Sequence, residues 1–517
     1  MATAINDAFV KIGEFRQYQW FLLTLMGYAL MAIGALPAMI VSFITAEPDW
    51  KCVEGYKNNT VCRFNNSITL TSDDYKARCK MPREAWTFVD DFTSIVTEYD
   101  LVCDDSILLS IAQSCYWVGM LIALLVGGFL SDKYGRRLVL YGGCALVAIA
   151  TCIMVFPKSF VVFIVCRVLI GIGSGFRNAT HFTLLVEFTT ERYRSWIGVG
   201  SFIFWAVGIS VMPLIGFLIP AWRMFLLATA VIAIPVLFIY WLVPESPRWL
   251  LLNGKKEEAK KVLTKVAKMN KRPLPDDLVL QKPVITETRM SFRQLFRNWK
   301  TAKKTLICWD LWFVSALVYY GVSYGSVDLG GNRYLNVFLV SVVEIPSNFA
   351  LIWAVRRFGR KKCVLFALVV AFIASAISVA IPTGKSGVSV RGRITTAVIA
   401  KFFINISFCG IYLWSAELFP TVIRSTAMST SSAMARIGSF TASYIIWLIR
   451  YHAALPYSIM GIICFQAAVL GIFLPETKGK PTLETMDDME EKREVALLLN
   501  DKDDAGEILK KQNEICL

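Results

Sequence analysis

This sequence predicts an all-α polytopic membrane protein of twelve spans in two six-helix halves, and three observations carry the prediction. Its 517 residues are 56% hydrophobic with a mean hydropathy of +0.53, too apolar for a soluble chain of that size. The apolar residues fall in repeated blocks of about 20 or more, the length that crosses ~30 Å of hydrocarbon. One polar turn also occurs twice. Gly128-Phe129-Leu130-Ser131-Asp132-Lys133-Tyr134-Gly135-Arg136-Arg137 joins two apolar runs. Val355-Arg356-Arg357-Phe358-Gly359-Arg360-Lys361-Lys362 is a degenerate copy, with Arg356 where Asp132 would be. A turn repeated across two halves indicates internal duplication.

The elements follow in order. Asp7, Lys11, Glu14 and Arg16 lie in a weakly amphipathic amino-terminal segment. The apolar run at about 20–44 is too long for a signal h-region and lacks a small-residue cleavage site, so it is expected to be a retained first helix. Residues 46–104 form a polar outer loop with Cys52, Cys62, Cys79 and Cys103 and sequons at Asn58 and Asn65. An even cysteine set beside sequons predicts an oxidised, glycosylated loop, and four cysteines leave three pairings open. Further sequons at Asn178 and Asn405 fall within predicted helices and are read as chance.

Spans two to six are expected at about 105–130, 138–156, 160–187, 196–219 and 223–243. Residues 244–302 form a cytoplasmic linker in which Gly254-Lys255-Lys256-Glu257-Glu258 and the following lysines have helix-compatible charge spacing. Spans seven to twelve are expected at about 304–325, 332–355, 362–382, 393–416, 425–449 and 455–474, followed by a polar tail. The predicted division is therefore a first half at 1–243, a linker at 244–302, a second half at 303–475 and a cytoplasmic tail at 476–517. An even number of spans puts both termini on one side. Arg136/Arg137, Lys255/Lys256 and Arg360/Lys361/Lys362 mark that side as cytoplasmic, with the cysteine loop outside a plasma membrane.

The net charge of +15 is concentrated in the linker and the two turns, as positive-inside asymmetry requires, so nucleic acid is not an expected partner. No enzyme constellation is visible, and neither a cofactor nor a metal is expected. His181 and His452 have no partner cysteine or acid at metal spacing. Gly171-Ile172-Gly173-Ser174-Gly175 follows no strand and has no phosphate-loop lysine, so it reads as close helix packing.

The halves share a second feature. Glu187 to Arg194 has the same acid-to-arginine spacing as Glu417 to Arg424, each after the fourth span of its half. With Asp132, Arg136 and Arg137, these charges are candidates to pair between halves when an inner gate is shut and to separate when it opens.

On these residues the chain resembles a known family. Asp132 to Arg137 matches the loop signature of the major facilitator superfamily. Pro244-Glu245-Ser246-Pro247-Arg248-Trp249, Glu417 to Arg424, Leu474-Pro475-Glu476-Thr477 and the loop end around Thr97 to Cys103 look like solute carrier family 22, the organic ion transporters. Sugar porters share some of these motifs but lack the outer loop. The resemblance implies a major facilitator fold and transport of small organic cations or zwitterions, carnitine-like compounds first, with organic anions as the alternative and a sugar-porter-like carrier after them; a channel or receptor would share the hydropathy but would not need the duplicated gate charges. Sodium coupling, proton coupling and uniport all remain compatible with it.

Substrate residues are sought among charges inside spans, because a charge at the bilayer centre costs at least ~2.5–3.5 kcal/mol and is kept where it faces a cavity. Arg436 lies about ten residues past Thr426, or ~15 Å deep. Glu344 is similarly deep, Asp310 sits in the inner part of the seventh span, and Lys401 sits in the tenth. The resemblance implies that Arg436 occupies a position where anion and carnitine transporters carry arginine. It also places Glu344 at the acid of the cation and carnitine members, while Asp310 departs from an expected aromatic. Asn348 stands where anion transporters often have lysine, and Leu317–Gly321 with Asp328–Asn332 is most like the carnitine branch. Arg436 is expected to hold a carboxylate, and Glu344 or Asp310 to balance an ammonium. Trp205, Trp312, Phe313, Tyr319, Tyr320 and Tyr412 are expected to offer ring faces to a quaternary nitrogen. A competing reading pairs the four charges with one another as structural ion pairs.

Overall fold

The computed structural model describes residues 3–53, 73–89, 92–274, 292–382 and 386–480. Eleven helices among them are long and apolar enough to cross a membrane. The first half contains α1 (Gln17–Ile44), α2 (Cys103–Tyr134), α3 (Arg136–Met154), α4 (Phe160–Glu187), α5 (Trp196–Leu218) and α6 (Trp222–Leu242). The second contains α7 (Trp299–Asp328), α8 (Arg333–Phe358), α9 (Arg360–Ala380), α10 (Gly387–Leu418) and α11 (Val422–Arg450), completed by the shorter apolar α12 (Leu455–Gly471). Asn178 and Asn405 both lie inside helices, α4 and α10.

Within the first half α4 packs on α2 and α3, and within the second α7 packs on α11 and α9 on α10 and α12. The halves meet through α2 with α11 and α5 with α8. Under a six-helix repeat these contacts are equivalents of each other, so the interface carries the duplication read from the turns.

The glycine run of α4 is a packing surface. A Cβ added to Gly171 would lie 2.1 Å from the Tyr116 carbonyl oxygen, and one on Gly173 would lie 2.6 Å from that of Gly143. Backbone against backbone leaves no room for a side chain.

The repeated turns fold alike. Gly135 and Gly359 have φ of 104° and 96°, open to glycine at little cost, and each ends one helix and starts the next. A carboxylate caps each new helix. Glu245 accepts from the Arg136 and Arg137 amides at 3.1 Å, and Glu476 accepts from those of Arg360 and Lys361 at 2.9 and 3.1 Å. Burial alone would raise the Glu476 carboxyl, but amides donated by Lys478, Arg360, Thr477 and Lys362 outweigh it and hold it below its ordinary value. The acids of the Pro-Glu-Ser-Pro and Pro-Glu-Thr motifs are therefore N-terminal anchors for α3 and α9.

Segments outside the spans pack on this frame. The amphipathic helix Lys256–Met269 follows Pro247–Leu252, and Asn270 receives the Tyr18 amide at 2.9 Å, fixing the linker to the start of α1. The described parts of the loop 46–104 contain regular structure. Trp50–Cys52 (β1) pairs antiparallel with Trp86–Phe88 (β2), and Cys79 is bonded to Cys103. Cys52 is also disulfide-bonded, whereas Cys62, Asn58 and Asn65 lie outside the described residues.

Gly171→Val is expected to lower stability by about 3 kcal/mol or more, since the clash is with backbone. Gly142→Ala should be neutral, because an added Cβ there meets nothing within 4 Å. Melting of detergent-solubilised variants, followed by size-exclusion chromatography, measures both.

Candidate functional site

The halves touch toward the disulfide-bearing end and at mid-depth. Glu47, just past α1, pairs with Arg450 of α11 at 3.1 Å, and with Arg78 of the loop segment Asp73–Lys80. Below this, Trp447 donates to Ser106 at 3.1 Å, Ser110 to the Ser443 carbonyl at 3.1 Å and Trp117 to Tyr324 at 2.9 Å. Deeper again, Trp205 donates to the Tyr319 hydroxyl at 2.8 Å, and Phe202 meets Tyr412 edge-on.

At the opposite end the candidate gate charges pair inside their own halves. Arg136 holds Asp132 at 2.8 Å and Glu187 at 3.4 Å, and Arg137 donates to the Tyr240 carbonyl while lying 3.8 Å over its ring. In the second half Arg360 holds Glu417 at 2.8 Å, and Lys361 donates to the Ile472 carbonyl. Arg424 donates to the Phe419 carbonyl at 3.3 Å. The equivalence of Arg136 with Arg360 and of Glu187 with Glu417 shows why the spacing repeats: each acid docks onto the turn of its own half.

Between the two ends, several predicted rings converge. Trp312 and Tyr412 are 4.1 Å apart by centroid, Tyr319 and Tyr320 are 4.9 Å apart, and Phe408 touches Trp312, Tyr319 and Tyr412. Tyr320 packs on Trp117 at 4.4 Å, and the Arg436 guanidinium faces that Trp117 ring at 5.8 Å. Trp117, Phe202 and Phe408 were absent from the predicted set, because an aromatic in an apolar helix carries no sequence signal of the face it occupies.

The four predicted charges do not act together. Glu344 is bound to Lys401 at 2.8 Å, both side chains 1% exposed, and Lys401 also donates to Ser323 at 2.6 Å and covers the Tyr319 ring. The acid expected to balance an ammonium is thus already neutralised. Pro346 contributes to its placement: α8 is interrupted at Val343, where the missing proline amide leaves the Val342 carbonyl without its helical donor. Asp310 turns away from this cluster and accepts from Gln466 of α12 at 3.1 Å. Cys308 and Trp312, four apart, both bond Ser415 of α10, so a residue midway between them points to the opposite side of α7. Arg436 is 5% exposed, its Nε lacks a hydrogen-bond partner, and no ion pair reaches it among the described residues.

A family model described as "Sugar (and other) transporter" matches residues 19–489. Solute carrier family 22 member 16 of Xenopus laevis is 33% identical over 411 residues, covering 77% of this chain and 71% of that protein. The chain belongs to solute carrier family 22. Another relative in this major facilitator family is the human organic cation/carnitine transporter 2, 31% identical over 417 residues, covering 78% of this chain and 74% of its own. The organic cation transporter protein of Drosophila melanogaster is 29% identical over 526 residues, 94% of each chain. The fold is shared with the inward-open xylose transporter XylE of E. coli, at a TM-score of 0.63 and 17% identity over 91% of this chain and 100% of that one. As a family 22 member the chain is a multi-pass membrane transporter.

Glu344→Gln strands a buried ammonium and is expected to cost about 3–5 kcal/mol. Adding Lys401→Met should recover most of it, and melting of the single and double variants in detergent reads the difference.

Proposed function

We propose that this transporter moves small carboxylate-bearing organic ions, carnitine-like zwitterions first, across a plasma membrane by alternating access. The observation that supports this best is Arg436, a buried guanidinium with an unpartnered Nε beside a cluster of tryptophan and tyrosine rings. A guanidinium in a low-dielectric site favours a carboxylate as its partner, and aromatic faces attract a quaternary nitrogen by roughly 0.5–2 kcal/mol each. Carnitine unites both groups, and one human relative is an organic cation/carnitine transporter. A second reading, a purely anionic substrate, is favoured by the Glu344–Lys401 pair, which occupies the predicted helix-8 acid.

The turn with Asp132, Arg136 and Arg137 would lie in the cytoplasm with both termini, and the glycosylated disulfide loop outside. The divisions 1–243, 244–302, 303–475 and 476–517 would then be half, linker, half and tail. The pairs Arg136–Glu187 and Arg360–Glu417 steady each half while the inner end is open, and closing that end brings the two clusters together. Sodium or a proton is a candidate co-substrate.

Uptake of labelled carnitine, tetraethylammonium and para-aminohippurate in oocytes, with and without sodium, tests the reading. Arg436→Ala is expected to abolish uptake of the carboxylate-bearing substrates and spare a purely cationic one; equal loss of both would make the arginine structural. Asp132→Asn is expected to slow turnover several-fold with little change in KM, whereas unchanged turnover would remove the turn from the gate.

A further inference from the structure

The turn-bearing end holds a cavity outside the ring cluster. About 450 Å³ of space lies between the amino-terminal helix Thr3–Ile12, the connection from α4 to α5 and the end of the linker helix Lys256–Met269. That volume falls within the range of small-molecule sites. Lys11 and Arg16 line it from the amino-terminal side and Arg272 from the linker, with Glu14 as the one carboxylate on its wall. Three cations against one acid leave it positive. Arg248 fastens this corner to the rest of the half, donating to the Asn6 side chain at 2.7 Å and to the Thr189 carbonyl at 3.1 Å.

Local backbone chemistry builds the two cationic walls. Gly13, at a φ of 105°, follows the amino-terminal helix and lets Arg16 fold back over it: an added Cβ would stand 2.6 Å from the Arg16 Cδ. The linker helix ends in a Schellman turn, in which the Arg272 amide donates to the Ala267 carbonyl at 3.0 Å and that of Lys271 to the Lys268 carbonyl at 3.3 Å. Lys271 takes the left-handed position, φ 53°, that glycine usually fills. Asn270, beside that turn, accepts from the Tyr18 amide at 2.9 Å and donates to the Ile12 carbonyl at 3.2 Å. The two walls are thus fastened to each other, and the cavity is preformed.

Its depth is marked by rings. Phe15 stacks on Tyr193 at 5.3 Å and meets Trp20 edge-on at 5.2 Å. Trp20 and Trp196, in the first turns of α1 and α5, are 58% and 56% exposed. Exposed tryptophans at the ends of spans sit at headgroup level, and clustered cations beside a span attract anionic lipid. We propose that this cavity binds a phosphate ester, held by the guanidinium groups of Arg16 and Arg272 with Lys11 beside them, and that its source is the headgroup of an anionic phospholipid. The bound phosphate would join the linker to the amino-terminal segment, independently of what Arg436 holds.

The test is binding of dioctanoyl phosphatidylinositol 4,5-bisphosphate to the purified full-length protein in neutral detergent, read by thermophoresis. Dioctanoyl phosphatidylcholine and soluble inositol 1,4,5-trisphosphate are run beside it. Arg16→Gln with Arg272→Gln is expected to weaken binding of the inositide at least ten-fold. Lys260→Gln with Lys261→Gln removes the same charge from exposed positions outside the cavity and should change it less than two-fold. Equal losses in the two pairs, no loss in the first, or equal affinity for phosphatidylcholine overturns the proposal. The soluble trisphosphate separates the sources: ten-fold weaker binding than the lipid supports the headgroup, whereas equal binding keeps the phosphate site and overturns the lipid source. Should the arginine pair fail to fold, Lys11→Gln decides: about three-fold weaker binding supports the site, and unchanged binding overturns it.

Discussion

The cost of an uncompensated charge inside a bilayer organises this molecule. Each buried cation must find an anion, a carbonyl, a ring or water, and the way each does so sorts structural residues from candidate binding residues. Lys401 has Glu344, and Arg167 has two backbone carbonyls. Arg436 keeps an Nε without a hydrogen-bond partner, and donors of Arg167 and Arg177 are likewise without one.

The duplication gives that charge distribution its mechanical setting. Matching acids cap α3 and α9, matching arginines hold matching glutamates, and the interface uses equivalent helix pairs from the two halves. Each half is therefore braced internally at the turn-bearing end, so it can move as a body. At the disulfide-bearing end the halves are tied together by hydrogen bonds and an ion pair as well as by ring contacts such as Phe43 on Tyr334. The hydrogen bonds exchange for water at modest cost, since each is worth about 0.5–1.5 kcal/mol net.

Much of this was legible in the sequence. The twelve spans, the repeated turn and the depth of Arg436 follow from hydropathy and helical rise, which are local properties. Pairing is not local. Nothing in the sequence shows that Glu344 and Lys401 meet, because that depends on how α8 is interrupted near Pro346 and packed on α10. Asp310 was misplaced for a related reason: its depth was readable, but the face of α7 it occupies becomes evident only once Cys308 and Trp312 are seen on Ser415. Arg177 carried the same signal as Arg436, a cation within an apolar run, and was masked by the adjacent glycines that read as packing. The short sheet of the outer loop was hidden because three-residue strands leave almost no periodicity.

Glu47 is shared by two arginines of different origin. Arg450 belongs to the opposite half, while Arg78 sits in the loop stapled by Cys79 and Cys103. In this conformation the carboxylate has one partner from the loop and one from the far helix, so under the alternating-access proposal a parting of the halves would leave it paired with Arg78 rather than bare.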